Sequence, residues 1–117
     1  MRQYTTPDQT DKLIELGFEK PKSATAISWD TPEDDSTFIN ANSIEIDYHY
    51  SIGELIEMLP PTITSVKGRD NFLLIEHFYN EFRVRYGGRP DLLLITDEEL
   101  VDALCRMIFM LKQYKLL

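Results

Sequence analysis

The sequence predicts an α+β fold, in which a small, mainly antiparallel sheet of three or four strands packs against helices and the last helix is long. Three kinds of observation predict it: strand-like alternation of apolar residues, helix-capping motifs, and apolar stripes at helical spacing. The chain has 117 residues, of which 43% are hydrophobic and 11% aromatic. That composition can supply a core, and the length fits a single domain over residues 1–117.

The N-terminal third begins with a helix signal. Thr6 and Pro7 are typical of an N-cap followed by proline at the first helical position. Thr10, Leu13, Ile14 and Gly17 have helical spacing, and Gly17 is a stop signal, so we expect a helix over about residues 7–16. We further predict a short strand at 24–29 and an exposed loop at 30–36.

The middle of the chain predicts a strand followed directly by a helix. Apolar and polar residues alternate through 43–49, which is typical of a half-buried strand. Ser51 and Glu54 then have the spacing of a capping box. The apolar stripe that follows extends to Leu59, and Pro60-Pro61 ends the helix.

The C-terminal half predicts a β-hairpin and the long helix. Residues 72–77 and 81–86 are strand-like, with a turn near Tyr79-Asn80. Thr96 and Glu99 have the spacing of a second capping box, which predicts a helix over about 97–113. The residues that we expect in the core are Ile46, Tyr48, Leu55, Ile56, Leu59, Leu74, Val84, Leu100, Leu104, Met107 and Leu111.

Charge and cysteine content exclude several classes of protein. The formal net charge is −8, and all of it falls within residues 1–60. An acidic surface opposes nonspecific nucleic-acid binding. No apolar run has the length of a membrane span, and residues 1–8 lack the apolar stretch of a signal peptide, so we expect a cytoplasmic protein. Cys105 is the single cysteine, which excludes an internal disulfide and a cysteine-based zinc cluster.

The long helix carries a candidate interaction surface. Phe109 falls in the middle of its polar face, near Asp102 and Arg106, and Cys105 lies at the boundary of that face. Asp102 and Arg106 are spaced i, i+4 and can pair weakly. A large aromatic residue on a polar face indicates either an isolated surface hydrophobe or a contact, and self-association into a homodimer is one such contact.

Several segments together resemble a family. They are residues 12–18, residues 50–60, the hairpin at 72–86 and residues 99–104. In these segments the chain resembles small uncharacterised proteins of bacteriophages and prophages of gut bacteria, and it is similar to phage α-β-α sandwich domains. It departs from them at Phe82, where such proteins often carry tryptophan. The resemblance implies a phage or mobile-element setting in a bacterial host cell, and it carries over no catalytic residue.

Two further functions are alternatives. Glu45, Asp47 and His49 share one face of a predicted strand, and such ligands suit Zn²⁺ or Mn²⁺ in a metal-dependent enzyme. Alternating polar residues are equally typical of a solvated sheet face. The carboxylates of residues 30–57 are candidates for an acidic nucleic-acid mimic that occupies a DNA-binding protein.

The remaining candidate chemistry is weaker. Arg83, Arg85 and Arg89, with Lys67 and Arg69, form a basic set, but Phe82 and Tyr86 fall on the opposite strand face, so nucleic-acid binding is not favoured. His77 is expected to be structural. The segment 87–90 lacks the Lys-Ser/Thr of a phosphate loop, so we assign no catalytic residue and no cofactor. The leading hypothesis is a non-enzymatic phage-type accessory protein that acts by protein–protein contact.

Overall fold

A computed structural model describes residues 1–23, 48–65, 67–87 and 93–117. It shows an α+β fold with three helices and a four-stranded antiparallel sheet in the order β1-β2-β3-β4. The helices are α1 (Pro7–Glu15), α2 (Ile52–Met58) and α3 (Leu100–Gln113). The strands are β1 (Thr62–Thr64), β2 (Asp70–Phe78), β3 (Glu81–Gly87) and β4 (Leu93–Asp97). The predicted fold class is confirmed.

Local capping chemistry defines the first two helices, as predicted. Thr6 caps α1 in a capping box with Gln9, and Gly17 follows the helix in the left-handed region, at φ +99°. Ser51 caps α2, and the Ser51 hydroxyl accepts a hydrogen bond from the backbone N–H of Glu54 at 3.1 Å. The helix over residues 7–16 and the capping box at 51–54 are therefore confirmed.

The predicted start of α3 is wrong. Thr96 and Asp97 belong to β4 and pair with β3, so the helix begins three residues later, at Leu100. Glu99 occupies the N-cap position without a side-chain capping hydrogen bond. Asp97 instead accepts a hydrogen bond from the backbone N–H of Glu99 at 3.1 Å, which turns the chain from strand into helix. Pairing along β4 outweighs the local capping signal.

The hairpin of β2 and β3 is confirmed, with Tyr79 and Asn80 as its turn. The sheet gains its other two strands from segments that the sequence analysis did not predict as strands, β1 and β4. The strand predicted at 24–29 and residues 43–47 of the other predicted strand lie outside the described residues, as does the loop predicted at 30–36.

The core lies between one face of the sheet and the helices, with α3 at its centre. α3 contacts β3, β4 and α2, and eight of its residues are buried. Tyr86 reaches across the core from β3, and the Tyr86 hydroxyl donates to the Pro60 carbonyl at 2.7 Å. Burial raises the pKa of Tyr86 to about 12. The buried residues that were predicted correctly are Leu55, Leu59, Val84, Leu100, Leu104, Met107 and Leu111.

Three predicted core residues are wrong, and a fourth, Ile46, lies outside the described residues. Tyr48 is 53% exposed. The tyrosine whose ring enters the core is Tyr50, and its backbone carbonyl accepts a hydrogen bond from the N-terminal segment. Ile56 lies at the edge of the buried face of the short α2 and is exposed. Leu74 points away from α3, on the other face of the sheet.

Candidate interaction surface

The face of the sheet opposite α3 exposes several large apolar side chains. In an antiparallel sheet, directly opposed residues lie on the same face, so the register assigns each side chain. Val84 and Ile95 are opposed and buried against α3, whereas Arg85 and Leu94 are opposed on the other side. We call that side the outer face; it consists of Thr62, Thr64, Asp70, Phe72, Leu74, Glu76, Phe78, Glu81, Arg83, Arg85, Gly87, Leu94 and Thr96.

Four large apolar side chains are exposed on the outer face. Phe72 is 58% exposed, Phe78 48%, Leu94 47% and Leu74 39%. Single exposed hydrophobes are ordinary, but a group of them on one sheet face is typical of a surface that contacts another molecule. The outer face thus combines four exposed large apolar side chains with charged residues and threonines.

Charged residues of both signs lie beside these apolar residues. The Arg85 Nε donates to Glu76 at 2.7 Å. The Arg83 guanidinium lies over the Phe78 ring, 4.7 Å from its centroid. The Nε of Arg83 is buried and has no hydrogen-bond partner in the part of the chain that the structure describes. The guanidinium of Arg83 therefore retains hydrogen-bonding capacity.

A glycine lies at the end of β3 on the outer face. A Cβ placed on Gly87 would lie 2.8 Å from Leu74 Cδ1 and 3.0 Å from a guanidinium nitrogen of Arg85. Both atoms are ends of flexible side chains, so a Cβ at this position would displace the Leu74 methyl and the Arg85 guanidinium rather than the backbone. Leu74 thus reaches from β2 across to β3 and covers Gly87.

The surface predicted on α3 is largely covered by the chain itself. Phe109 is half-buried and packs against the core, with the Lys12 Nζ 4.2 Å from its ring centroid. Asp102 pairs with Arg2 and accepts a hydrogen bond from Gln9 at 2.7 Å, rather than pairing with Arg106. The sequence wheel could not show that the N-terminal segment and α1 pack on this side of α3.

The other two residues of that predicted surface have separate environments. Cys105 is fully buried instead of lying at a face boundary, and burial, with the Asp102 charge, raises the pKa of its thiol to about 12. Arg106 is exposed and reaches β4, where it donates to the Thr96 carbonyl at 3.0 Å and lies 3.3 Å from Asp97. Asp102, Cys105, Arg106 and Phe109 therefore do not form one exposed surface.

The proposed metal ligands are only partly within the described residues. Glu45 and Asp47 lie outside them, and His49 contacts Thr10, with 2.8 Å between its Nδ1 and the Thr10 hydroxyl oxygen. That hydroxyl also lies 2.7 Å from the Thr5 hydroxyl and donates to the Thr6 carbonyl. Over the described ranges, no group of three His, Cys, Asp or Glu side chains is placed to hold a metal ion. His49 takes part in a polar network at the start of α1.

The residues of the predicted basic set lie in different parts of the fold. Arg83 and Arg85 lie on the outer face, while Phe82 and Tyr86 lie on the α3 side, so the predicted separation of rings and charges is confirmed. Lys67 and Arg69 are exposed between β1 and β2, and Arg89 lies outside the described residues. His77 is exposed near the hairpin turn and stacks on Phe82, with 4.2 Å between ring centroids.

Of the carboxylates that an acidic mimic requires, those between residues 30 and 47 lie outside the described residues. Glu54 lies in an open cleft between the end of α1 and α2. Burial acts to raise the pKa of Glu54, but hydrogen bonds from the Ser23 hydroxyl, from the backbone of Lys22 and from both groups of Ser51 hold it below its usual value. Glu54 therefore links Ser23 to the N-terminus of α2 through hydrogen bonds.

The residues of the outer face were missed as a site, although the sequence carries a signal for them. Residues 72–75 and 92–95 are continuous apolar runs, and only every second residue of a strand can point into one core. A run without alternation therefore indicates that both faces of the strand are apolar. The strand at 72–77 was predicted as part of a hairpin, and its second apolar face was not predicted.

The comparisons with known proteins give no further identification. No family model, curated protein or solved structure matches the chain. None of the helices within the described ranges combines the length and apolar character that crossing a membrane requires.

Proposed function

We propose that the chain is a non-enzymatic accessory protein of phage or prophage type that acts by protein–protein contact through its outer face. The observation that carries the proposal is the group of exposed apolar side chains on this face, Phe72, Leu74, Phe78 and Leu94. A partner that covered them would gain roughly 25 cal/mol of binding free energy for each Å² of apolar area removed from water. The phage setting rests on the resemblance of the sequence segments, and the contact role rests on the outer face.

The composition of the outer face supports a protein partner over other ligands. Aromatic residues and arginine are enriched where proteins meet, and this face carries two of each, Phe72, Phe78, Arg83 and Arg85. Its apolar residues are spread over β2 and β4 rather than gathered in a concave pocket, which suits a broad contact better than a small molecule.

A photo-crosslinking amino acid placed on this face tests the proposal. Position 74 is substituted with a photo-reactive phenylalanine analogue, and Ile14 on α1, which is 36% exposed against 39% for Leu74, is the matched control position. In bacterial cells that produce the protein, irradiation is expected to give adducts of defined mass from position 74 that position 14 does not give. Equal adduct patterns from both positions, or none from position 74, would contradict the proposal.

A further inference from the structure

We infer that the partner of the outer face is a second copy of this chain, bound face to face about a two-fold axis that runs parallel to the strands between β2 and β3. This inference rests on the proposed contact function and names its partner. Such an axis places each residue of β2 over the β3 residue that opposes it in the sheet, but in the other copy. The opposed pairs of the register therefore become the contacts of the dimer.

The charges on the outer face match under this axis. Glu76 opposes Arg83 in the register, so each Glu76 faces the Arg83 of the second copy. The Nε of Arg83 is buried within its own chain, so the terminal nitrogens of the guanidinium are the atoms that a second copy can reach. A carboxylate from the second copy is the group that its guanidinium binds best. Two such pairs form in each dimer, because the axis repeats every contact.

The shapes on the outer face match as well. Phe72 opposes Gly87, a position that Leu74 and the Arg85 guanidinium of the same chain cover, so the ring of one copy faces that leucine in the other copy. Leu74 opposes Arg85, whose aliphatic stem is an apolar surface below its charge. A ring over a leucine, and a leucine over an arginine stem, are apolar contacts that suit two sheets packed at a spacing of roughly 10 Å.

The size of the face predicts how strong the dimer is. The strands have three, nine, seven and five residues; at about 3.3 Å per residue and about 4.8 Å between strands, they give a face of about 380 Å². Two such faces bury about 760 Å² together, which is below the about 1,000 Å² of stable interfaces and corresponds to a weak, transient contact. We therefore expect a reversible dimer with a dissociation constant in the micromolar range rather than an obligate one.

Sedimentation velocity on two charge reversals tests the inference. In Glu76→Arg, the introduced arginine faces Arg83 of the second copy, and in Arg83→Glu two glutamates face each other. Each variant alone is expected to bind itself at least about 100-fold more weakly than the wild type does. Glu76→Arg loses the pair with Arg85, and Arg83→Glu loses the contact with the Phe78 ring. Each variant also places like charges on opposed strand positions of its own chain, so circular dichroism must first show that it keeps its fold. Lys20→Glu, a reversal at an exposed position outside the sheet, should dimerise as the wild type does.

Mixing the two reversals is the decisive step. In a mixed dimer, the introduced arginine faces the introduced glutamate, and the native Arg83 faces the native Glu76. We expect the equimolar mixture to form dimers at concentrations where each variant is monomeric, a result that no effect within one chain produces. A mixture that stays monomeric, or single variants that dimerise like the wild type, would overturn the inference.

A wild-type chain that stays monomeric up to about 500 μM would also overturn it. The proposed function is then judged separately by the crosslinker at position 74. Adducts with a different protein would leave the contact function standing with another partner. An absence of adducts would remove the contact function as well.

Discussion

The environment of Phe109 in the structure differs from the one that the helix pattern alone predicts. On the polar side of α3 it is covered by α1, and Lys12 lies over its ring. Because it packs within its own chain, Phe109→Ala is expected to lower the free energy of unfolding by about 1–3 kcal/mol, measured by urea denaturation. By light scattering, the Phe109→Ala variant should have the same oligomeric state as the wild type. A variant of unchanged stability that has lost self-association would instead restore Phe109 as a contact residue.

Cys105 predicts a dependence of stability on alkaline pH. The folded chain keeps the thiol protonated up to about 12, whereas the unfolded chain loses the proton above its ordinary pKa of 9.0. Stability from this group is therefore fully present below pH 9.0 and falls as pH rises towards 12, by about 1.4 kcal/mol per pH unit. Urea denaturation just above pH 9 should show this decline in the wild type and a shallower one in Cys105→Ala. Equal declines in the two proteins would contradict the buried thiol.

At the scale of elements, α2 depends on its cap more than a longer helix would. It has seven residues, too few for a stable isolated helix, so its first hydrogen bonds matter. Ser51→Ala removes the acceptor for the Glu54 backbone N–H and is expected to cost about 1 kcal/mol of unfolding free energy. Gly53→Ala on the same helix is the control, because its new Cβ meets no atom closer than 3.8 Å and should stabilise the protein. An unaffected Ser51→Ala protein would show that packing alone holds α2.

The sequence was sufficient for those elements whose signals are local. Caps at Thr6 and Ser51 and the turn at Tyr79-Asn80 each depend on a few neighbouring residues, and all three were predicted. The start of α3 was predicted wrongly, because pairing of β4 with β3 is a nonlocal interaction. β1 was missed for a related reason: three residues carry too little alternation to indicate a strand without their partner.

At the scale of the whole molecule, the fold leaves its sheet with two unlike faces. α3 lies in the centre of the core and contacts the side of the sheet that carries Val84 and Ile95. The outer face keeps its apolar residues exposed. The sequence contained their signal in the apolar runs, but which face each residue occupies follows from register. Register between strands is set by pairing along the whole sheet, which local sequence patterns do not show. Leu74 was therefore wrongly predicted to lie in the core.

The central claim is that the outer face, and not α3, is where this chain meets a second copy. Methyl NMR of the leucine-labelled wild-type protein over a range of concentrations tests it most directly. We predict that the methyl signals of Leu74 and Leu94 shift as concentration rises, while those of Leu104 and Leu111 on α3 stay unchanged. Shifts confined to the α3 leucines, or none at any concentration, would contradict the claim.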